Sequence, residues 1–383
     1  MKSEWTYRPL GELVSFASGG TPSKKRDDYW GGTIPWISAK TLKTENIDTS
    51  DLFITEEGLK AGSKIAPKGS ILLLTRGSGL FNGIPIARVE KDVAFNQDIK
   101  CLDSYGEVEN EFIFYWLLSQ KDYLMAKVGV TGIGAGKFDL DFLQKLMIPI
   151  PSERERKSIV GFASSISEKI RCNAKVNDNL EQQAVALFKS WFVDFSLFGG
   201  TVPENWEDTT LENITTLITR GIAPKYSDNS DQTVVNQKCI RNHTIDLSLA
   251  RTHTPKAINE KWLKFGDLLI NSTGDGTLGR VAQVWFAPKA LTVDSHVTIV
   301  RPAREELIFY IGLWGILHEK EIESLHTGST GQTELPRDRV KMLKLLLPDN
   351  ISLSRFNSII APMASTIILN QEENQKLASL RDT

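Results

Sequence analysis

Two segments of the chain place apolar residues at a regular heptad spacing, with steps that alternate between four and three. In the first segment the seam positions are Ile159, Ala163, Ile166, Ile170, Asn173, Asn177, Leu180, Ala184, Leu187 and Trp191. In the second they are Phe356, Ile360, Met363, Ile367, Asn370, Asn374, Leu377 and Arg381. This pattern predicts two long helices that pack against each other at a shallow angle, as in a coiled coil.

Each seam is interrupted by two asparagines that lie four residues apart. A buried amide costs stability unless it is paired, so its usual role on a seam is to fix register. An antiparallel pairing brings all four amides together, with Asn173 opposite Asn374 and Asn177 opposite Asn370. The same register sets these apolar pairs: Ile170 with Leu377, Leu180 with Ile367, Leu187 with Ile360, and Trp191 with Phe356. The alternative is that the polar positions are incidental.

The antiparallel register leaves Ile159 and Ala163 without a helical partner, because the second segment stops at Thr383. We therefore expect either further residues beyond 383 or another chain to cover them.

The rest of the chain forms two blocks of mixed pattern. Short strand-like runs such as Ile71–Leu74 alternate with glycine-rich loops, and one helix is predicted from Glu111 to Leu124. The resulting organisation is a first domain over 1–151, a long helix over 152–198, a second domain over 199–350 and a distal helix over 351–383. The predicted fold class is α+β, with two mixed α/β domains separated by an antiparallel helix pair.

The second half of the sequence repeats the first. Gly69-Ser70-Ile71-Leu72-Leu73 matches Gly266-Asp267-Leu268-Leu269-Ile270, and Leu146-Met147-Ile148-Pro149 matches Leu345-Leu346-Leu347-Pro348. A repeat near 200 residues is too long for a solenoid unit of roughly 20–50 residues, so it indicates two copies of a whole domain. The antiparallel pairing of the helices would relate these copies by a local two-fold axis. A first helix from Ser152 to Phe195 would be roughly 66 Å long. Duplex DNA is a suitable long ligand, because equivalent groove faces recur about every 34–36 Å.

Composition narrows the class of protein further. With 383 residues, 41% apolar and 24% charged, the chain is expected to be globular and to contain two domains. No apolar run approaches about 18 residues and the first residues do not form a signal peptide, so we expect a cytoplasmic protein without membrane association. Three scattered cysteines fit a reducing compartment and no zinc cluster. The net charge of −2 means that any DNA-binding surface must be local.

No catalytic set emerges from the motifs. Gly274–Gly279 matches the dinucleotide pattern G-x-G-x-x-G, but the following Arg280–Phe286 alternates as a strand where a helix is needed. Gly132–Lys137 resembles a phosphate loop, but Thr131 and Phe138 replace the glycine and the hydroxyl that it requires. Hydrolase, aminomethyltransferase and ATPase motifs and metal-spaced histidines are missing, so we expect no chemistry and no metal in this chain. A nucleotide-dependent enzyme remains an alternative that rests only on the glycine loops.

Several motifs resemble one protein family. Leu10-Gly11-Glu12-Leu13, Ser18–Ser23 and Tyr29–Ile37 are similar to the start of a target recognition domain in the specificity subunit of type I restriction–modification enzymes. Leu143–Pro151 resembles the end of that domain, His326–Gln332 the turn before a helix, and Glu373–Asp382 the distal helix. The second domain departs from the pattern, with Arg220-Gly221-Ile222-Ala223-Pro224-Lys225 in place of Gly-Gly-Thr-Pro-Ser. The two domains are therefore expected to recognise different sequences.

The resemblance implies a function and a set of partners. Each domain would recognise one half of a bipartite, asymmetric double-stranded DNA target, and the helices would set the gap. Two methyltransferase (modification) subunits that bind S-adenosylmethionine and methylate adenine would dock on the helices. Restriction subunits that use ATP and Mg²⁺ would join them, in a prokaryotic cytoplasm. The alternatives within this class are a methyltransferase-only system or a standalone two-domain DNA-binding protein.

Candidate DNA contacts follow from base and phosphate chemistry: Arg and Lys suit guanine or phosphate, and Asn and Gln suit adenine. For each residue the alternative is a solvated surface side chain. In the first domain the candidates are Thr21, Ser23, Lys24, Lys25, Arg26, Lys40, Arg76, Ser78 and Lys137. In the second they are Arg220, Lys225, Tyr226, Lys238, Arg241, Thr273, Arg280 and Gln332.

Overall fold

The computed structural model describes residues 5–81, 83–132, 134–227, 230–274, 276–328 and 333–382. These divide into two compact units, each of mixed α/β structure. Unit 1 comprises residues 1–171 and 374–383, and unit 2 comprises residues 172–373. Within the described residues, none of the helices combines the length and the apolar character that a membrane crossing needs.

The described α-helices are α1 Leu10–Leu13, α2 Glu56–Gly62, α3 Asn110–Ser119, α4 Lys121–Met125, α5 Leu140–Gln144, α6 Glu153–Phe192, α7 Ile308–Leu317, α8 Glu319–Ser324, α9 Arg337–Lys341 and α10 Asn350–Arg381. The strands of unit 1 are β1 Thr6–Pro9, β2 Val14–Ser18, β3 Trp30–Ile37, β4 Asn46–Ile47, β5 Phe53–Ile54, β6 Lys64–Ala66, β7 Ile71–Leu74, β8 Arg76–Gly77, β9 Ile86–Val89, β10 Val93–Phe95, β11 Ile99–Ser104, β12 Gly129–Val130, β13 Gly136–Lys137 and β14 Met147–Ile150. Those of unit 2 are β15 Glu207–Thr210, β16 Thr215–Arg220, β17 Thr233–Val235, β18 Ile240–Arg241, β19 Thr244–Ile245, β20 Arg251–Thr252, β21 Leu268–Asn271, β22 Val281–Gln283, β23 Leu291–Val293, β24 Val297–Pro302 and β25 Lys344–Leu347.

The two long helices begin at side-chain caps. Before α6, Ser152 Oγ accepts from the Glu155 amide at 3.4 Å, and the Glu155 carboxylate accepts from the Ser152 amide at 3.0 Å, which is a capping box. Before α10, the Asp349 carboxylate accepts from the Ile351 amide at 2.9 Å and from the Ser352 amide at 3.0 Å. These caps satisfy amides that have no partner within the helix and so fix where each helix starts.

The single helix expected from Glu111 to Leu124 is wrong, because α3 and α4 are separated at Gln120. This residue leaves helical geometry (φ −93°, ψ 4°), and its amide is shared between the carbonyls of Trp116 and Leu117. The last turn of α3 tightens there, and α4 begins as a separate helix at Lys121.

The core of unit 1 is a five-stranded sheet in the order β2-β11-β7-β9-β4. Its central strand β7 is buried along its whole length, which explains its continuous run of Ile71 and three leucines. A four-stranded sheet (β5-β3-β10-β6), a three-stranded sheet (β12-β13-β8) and the pair β1-β14 complete the described strands of the unit.

Unit 2 repeats this arrangement. Its four-stranded sheet β16-β24-β21-β22 has the same strand order as β2-β11-β7-β9, and β15 pairs with β25 as β1 pairs with β14. The sequence match of Leu146–Pro149 to Leu345–Pro348 is wrong by two residues. Leu10 donates to the Leu146 carbonyl at 2.8 Å, and Leu211 donates to that of Leu343 at 2.9 Å, so Leu146 corresponds to Leu343. The run of three leucines after Lys344 hid the shift.

In unit 2, the helix segments run antiparallel in the predicted register. Asn370 Nδ2 donates to Asn177 Oδ1 at 2.8 Å, and Asn177 Nδ2 lies 3.4 Å from the Ile367 carbonyl oxygen. Fourteen residues further along α6, the Trp191 and Phe356 rings meet at 5.7 Å, as predicted. Asn173 is buried and donates to the Glu373 carboxylate at 2.7 Å. The pairing of Asn173 with Asn374 stays a prediction.

The remaining seam residues of unit 2 are also shielded from solvent. Ala184, Ile360 and Ile367 are buried, whereas Leu180, Leu187 and Met363 are partly buried. Ala184 and Ile360 belong to the main hydrophobic cluster of the unit, and Leu187 and Met363 pack against it. The seam is therefore continuous with the domain core.

In unit 1, the end of α10 is held by Arg381, whose side chain is only 3% exposed. Its guanidinium donates to the Glu45 carboxylate at 2.9 Å and to Ser167 Oγ on α6 at 3.0 Å. The amide of Asn374 lies 3.4 Å from the Ile170 carbonyl oxygen. Ile166 is buried, and Ile170 and Leu377 are partly buried.

The expectation that residues beyond 383 or another chain would cover Ala163 is wrong, because Ala163 is buried within the core cluster of unit 1. The domain itself covers this position. Ile159 is 37% exposed.

Candidate nucleic-acid interface

In unit 1, two predicted DNA-binding residues lie side by side on the short strands β8 and β13. Arg76 and Lys137 are direct cross-strand partners, and both are exposed. The Phe138 amide donates to the Thr75 carbonyl at 2.9 Å, which holds β13 against the end of β7. Like charges directly opposite on a strand pair are unfavourable. An anion such as a phosphate between them would relieve that repulsion.

Further polar residues lie around this strand pair. Ser18 and Lys100 are cross-strand partners on β2 and β11, and the Lys100 ammonium donates to Ser18 Oγ. The predicted residue Thr21 is exposed and donates to Gln97 Oε1 at 2.7 Å. Gln97 precedes Asp98, whose carbonyl accepts from the amide of Thr75, the residue before β8. We call the four strand residues Ser18, Arg76, Lys100 and Lys137 site 1.

Two other predicted residues flank site 1. Ser78 is exposed and follows β8 directly. Lys40 is exposed on the turn after β3, where a Cβ on Gly77 would stand 3.8 Å from that of Ala39. The turn that carries Lys40 thus lies against β8.

The predicted basic segment Lys24-Lys25-Arg26 is exposed on the loop before β3, together with Ser23. Arg26 makes a bidentate ion pair with Asp28 at 2.7 and 2.8 Å, and its guanidinium lies 4.9 Å from the centre of the Tyr29 ring. The hydrogen bonds that Arg26 donates to the Asp28 carboxylate are the largest cause that raises the pKa of Arg26. Because Asp28 offsets the Arg26 charge, Lys24 and Lys25 carry most of the positive field of this loop.

In unit 2, the predicted residues Arg220 and Thr273 both contact Glu334, which is not among the predicted DNA-binding residues. Thr273 is bridge-paired with Glu334, and the Arg220 guanidinium contacts the Glu334 carboxylate at 2.8 Å. The Leu335 amide donates to the Ser272 carbonyl at 2.8 Å, matching the bond between Phe138 and Thr75. Arg220 is in turn the cross-strand partner of Thr298. We call Arg220, Thr273, Thr298 and Glu334 site 2.

The neighbourhood of site 2 is polar. Thr273 Oγ1 lies 2.7 Å from His296 Nδ1 and 3.4 Å from Gln237 Oε1, next to the exposed and predicted Lys238. Predicted Arg280 is partly buried and donates to the Gly276 carbonyl at 2.6 Å, on the loop that follows Thr273. Strand β22 follows this loop, as predicted, so the geometry of a dinucleotide-binding turn is not met.

The remaining predicted residues of unit 2 lie on other segments. Tyr226 is 39% exposed, and the Arg251 guanidinium lies 3.7 Å from its ring centre. Lys225 is exposed beside it, and Arg241 is exposed in the β18–β19 hairpin. Gln332 lies outside the described residues. Across the described ranges, no group of three or more His, Cys, Asp or Glu side chains is arranged to hold a metal ion.

Comparison with known proteins points to one family. Residues 2–182 match the family model described as the type I restriction modification DNA specificity domain. The MjaIX type I restriction enzyme specificity subunit of Methanocaldococcus jannaschii is 26% identical, over 99% of this chain and 91% of that protein. The chain is thus similar to type I restriction enzyme specificity subunits over nearly its whole length, and residues 2–182 match the DNA specificity domain of that family.

Two further comparisons agree with this family. The EcoR124I/EcoR124II specificity subunit of Escherichia coli is 31% identical over 42% of this chain and 40% of that protein. The crystal structure of an S subunit from M. genitalium has the same fold, with a TM-score of 0.54, 16% identity, and coverage of 99% of this chain and 94% of that one. These relatives are named as specificity subunits, which are the non-catalytic DNA-recognition components of type I restriction enzymes.

Proposed function

We propose that this chain is a specificity subunit that recognises a bipartite, asymmetric DNA target, with one half-site contacted by each unit. The observation that carries the proposal is the repeat of one strand arrangement, in which predicted DNA-binding residues Arg76 and Thr273 occupy equivalent positions. Because the side chains at the equivalent positions differ, the two half-sites are expected to differ in sequence.

The paired helices would set the gap between the half-sites. Helix α6 has 40 residues, and a rise of about 1.5 Å per residue makes it roughly 60 Å long. The amide pairing of Asn177 with Asn370 supports a single register, which a defined gap requires. In this proposal the two-fold related helices act as a rigid spacer over the whole seam.

The outer faces of the same helices would dock two modification subunits. Large apolar side chains stand exposed there, among them Phe162 at 59% and Leu369 at 64%. Exposed apolar surface on a helix commonly marks a protein interface. S-adenosylmethionine would be bound by the modification subunits, which would methylate adenine, and ATP and Mg²⁺ by restriction subunits that join them in the prokaryotic cytoplasm.

The charge of the chain fits such an assembly. A net charge of −2 provides little general attraction for DNA, since affinity for the phosphate backbone depends on Lys and Arg contacts. Partner subunits would therefore supply much of the phosphate-neutralising surface, while sites 1 and 2 supply sequence discrimination.

An exchange of domains tests the proposal. Residues 1–151 are replaced by the equivalent segment of a related specificity subunit, and methylated adenines are mapped across the genome of a host that also carries the modification subunit. We expect one half-site to change while the other half-site and the gap stay constant. The reciprocal exchange of residues 199–350 is the control and should change only the other half-site. A change in both half-sites after a single exchange would contradict independent recognition by the two units.

A further inference from the structure

Sites 1 and 2 occupy the same positions of the repeated sheet but carry different charges. The cross-strand pair Ser18–Lys100 corresponds to the pair Arg220–Thr298. The cross-strand pair Arg76–Lys137 corresponds to the bridge between Thr273 and Glu334. Site 1 therefore contains three cationic side chains and no carboxylate. Site 2 contains one arginine and one glutamate in direct contact.

A carboxylate at this position is unfavourable for phosphate binding. Its charge repels the DNA backbone, and a carboxylate accepts hydrogen bonds but cannot donate them to phosphate oxygens. The donors that DNA offers in the major groove are the exocyclic amino groups of bases, and the usual partner of Glu is cytosine N4.

Glu334 is held in place by its neighbours. Its amide donates to the Thr327 carbonyl at 2.9 Å and its carbonyl accepts from the Thr327 amide at 2.8 Å. Arg220 contacts the carboxylate at 2.8 Å and also donates to the Leu335 carbonyl at 3.1 Å. Despite these contacts, 56% of the Glu334 side chain remains exposed. The carboxylate is thus oriented in advance and still accessible.

We propose that Glu334 is a specificity-determining residue that accepts a hydrogen bond from a cytosine amino group in the half-site of unit 2. Arg220 is its positioning residue, because it orients the carboxylate and offsets its charge near the phosphates. The inference rests on the proposed function. It also assigns a chemical reason for the difference between the half-sites: unit 1 presents cations at the positions where unit 2 presents a carboxylate acceptor.

The test maps methylated adenines with the full assembly of this chain and its modification subunit, using wild type, Glu334→Gln and Glu334→Ala. We expect the requirement for one C·G base pair in one half-site to be lost or relaxed. Methylation at the wild-type target should fall by roughly tenfold or more, as expected for loss of a specific base contact. The other half-site and the gap should stay unchanged.

Glu207→Gln provides the matched control, because Glu207 is an exposed carboxylate on β15 of the same unit. It should return the wild-type target at the wild-type level. The inference is overturned if both Glu334 variants keep the wild-type target and the wild-type level of methylation. It is also overturned if both variants lower the thermal stability of the protein and reduce methylation equally at all targets. If wild type itself yields no bipartite target, the proposed function fails along with the inference. If the wild-type target is bipartite but the Glu334 variants recognise it as wild type does, only the inference fails and the proposed function stands.

Discussion

The Asn177 amide shows how one polar residue on an apolar seam can determine register. It is buried, and both ends of its side chain find partners on α10, the Asn370 amide and the Ile367 carbonyl. An apolar seam alone would tolerate a slip of one heptad, whereas a displaced amide would lose these hydrogen bonds at a cost of about 1–3 kcal/mol. For this reason the register of the helices in unit 2 could be predicted from the sequence.

The Arg220–Glu334 contact could not be predicted in the same way. Its two residues are far apart in sequence. They meet only because Arg220 ends β16 and Glu334 is bridge-paired with Thr273, which lies just after the end of β21. The predicted DNA contacts are basic, amide and hydroxyl side chains, so they do not include the carboxylate Glu334. The signal that could have found it is the repeat itself, since Glu334 stands where Lys137 stands in the first copy.

Asp349 gives a pH-dependent prediction at the residue scale. Burial disfavours its charged form, but hydrogen bonds from Ser352, Trp206 and Ile351 outweigh this and lower the pKa of Asp349 to about 2. Since the folded-state pKa lies below the ordinary value of 3.8, the ionised carboxylate stabilises the fold at higher pH. That stabilisation is complete above about pH 4 and is lost as the pH falls toward 2.

We therefore expect Asp349→Asn to lower stability at pH 7 by about 1 kcal/mol, since it weakens a charged helix cap. In a domain of this size that corresponds to a fall in Tm of roughly 2–4 °C. Thermal unfolding of both proteins should show the difference shrinking as the pH drops below 4. Asp208→Asn, which changes an exposed carboxyl on β15, controls for the loss of charge alone. A difference between Asp349→Asn and wild type that is constant from pH 7 to pH 3 would contradict this role.

At the scale of elements, sequence patterns located the long helices and failed where the pattern was ambiguous. The heptad seam predicted α6, and in the structure the capping box of Ser152 and Glu155 fixes its start. The break at Gln120 could not be predicted, because no proline or glycine lies between Asn110 and Met125 to mark it. The register of β25 was misassigned because its leucines match β14 at more than one offset.

The paired seam predicts the effect of lengthening the helices. One heptad inserted between Leu180 and Ala184, matched by one between Met363 and Ile367, keeps every seam residue in register and adds about 10 Å. We expect the gap between half-sites to grow by about three base pairs at roughly 3.4 Å each, with both half-sites unchanged. Methylated-adenine mapping measures the gap directly.

The same insertion in α6 alone is the contrasting variant. It would displace Asn177 from Asn370 or force a bulge, so we expect a lower Tm and weaker methylation. If the double insertion left the gap unchanged, the helices would not be the spacer.

At the scale of the whole molecule, the repeat and the composition carried most of the functional inference. Two copies of a domain, each followed by a helix, indicated two recognition events, and the family match agrees with that organisation. What composition could not provide was the identity of the contacts, because a net charge of −2 conceals local sites as different as site 1 and site 2.

The central claim is that one chain recognises two different half-sites at a fixed gap. The most direct measurement is a genome-wide map of methylated adenines in a host that carries wild-type protein and its modification subunit. The account predicts one bipartite motif with two unlike half-sites and a single gap length. A continuous motif, a palindrome with identical halves, or a gap that varies from site to site would contradict it.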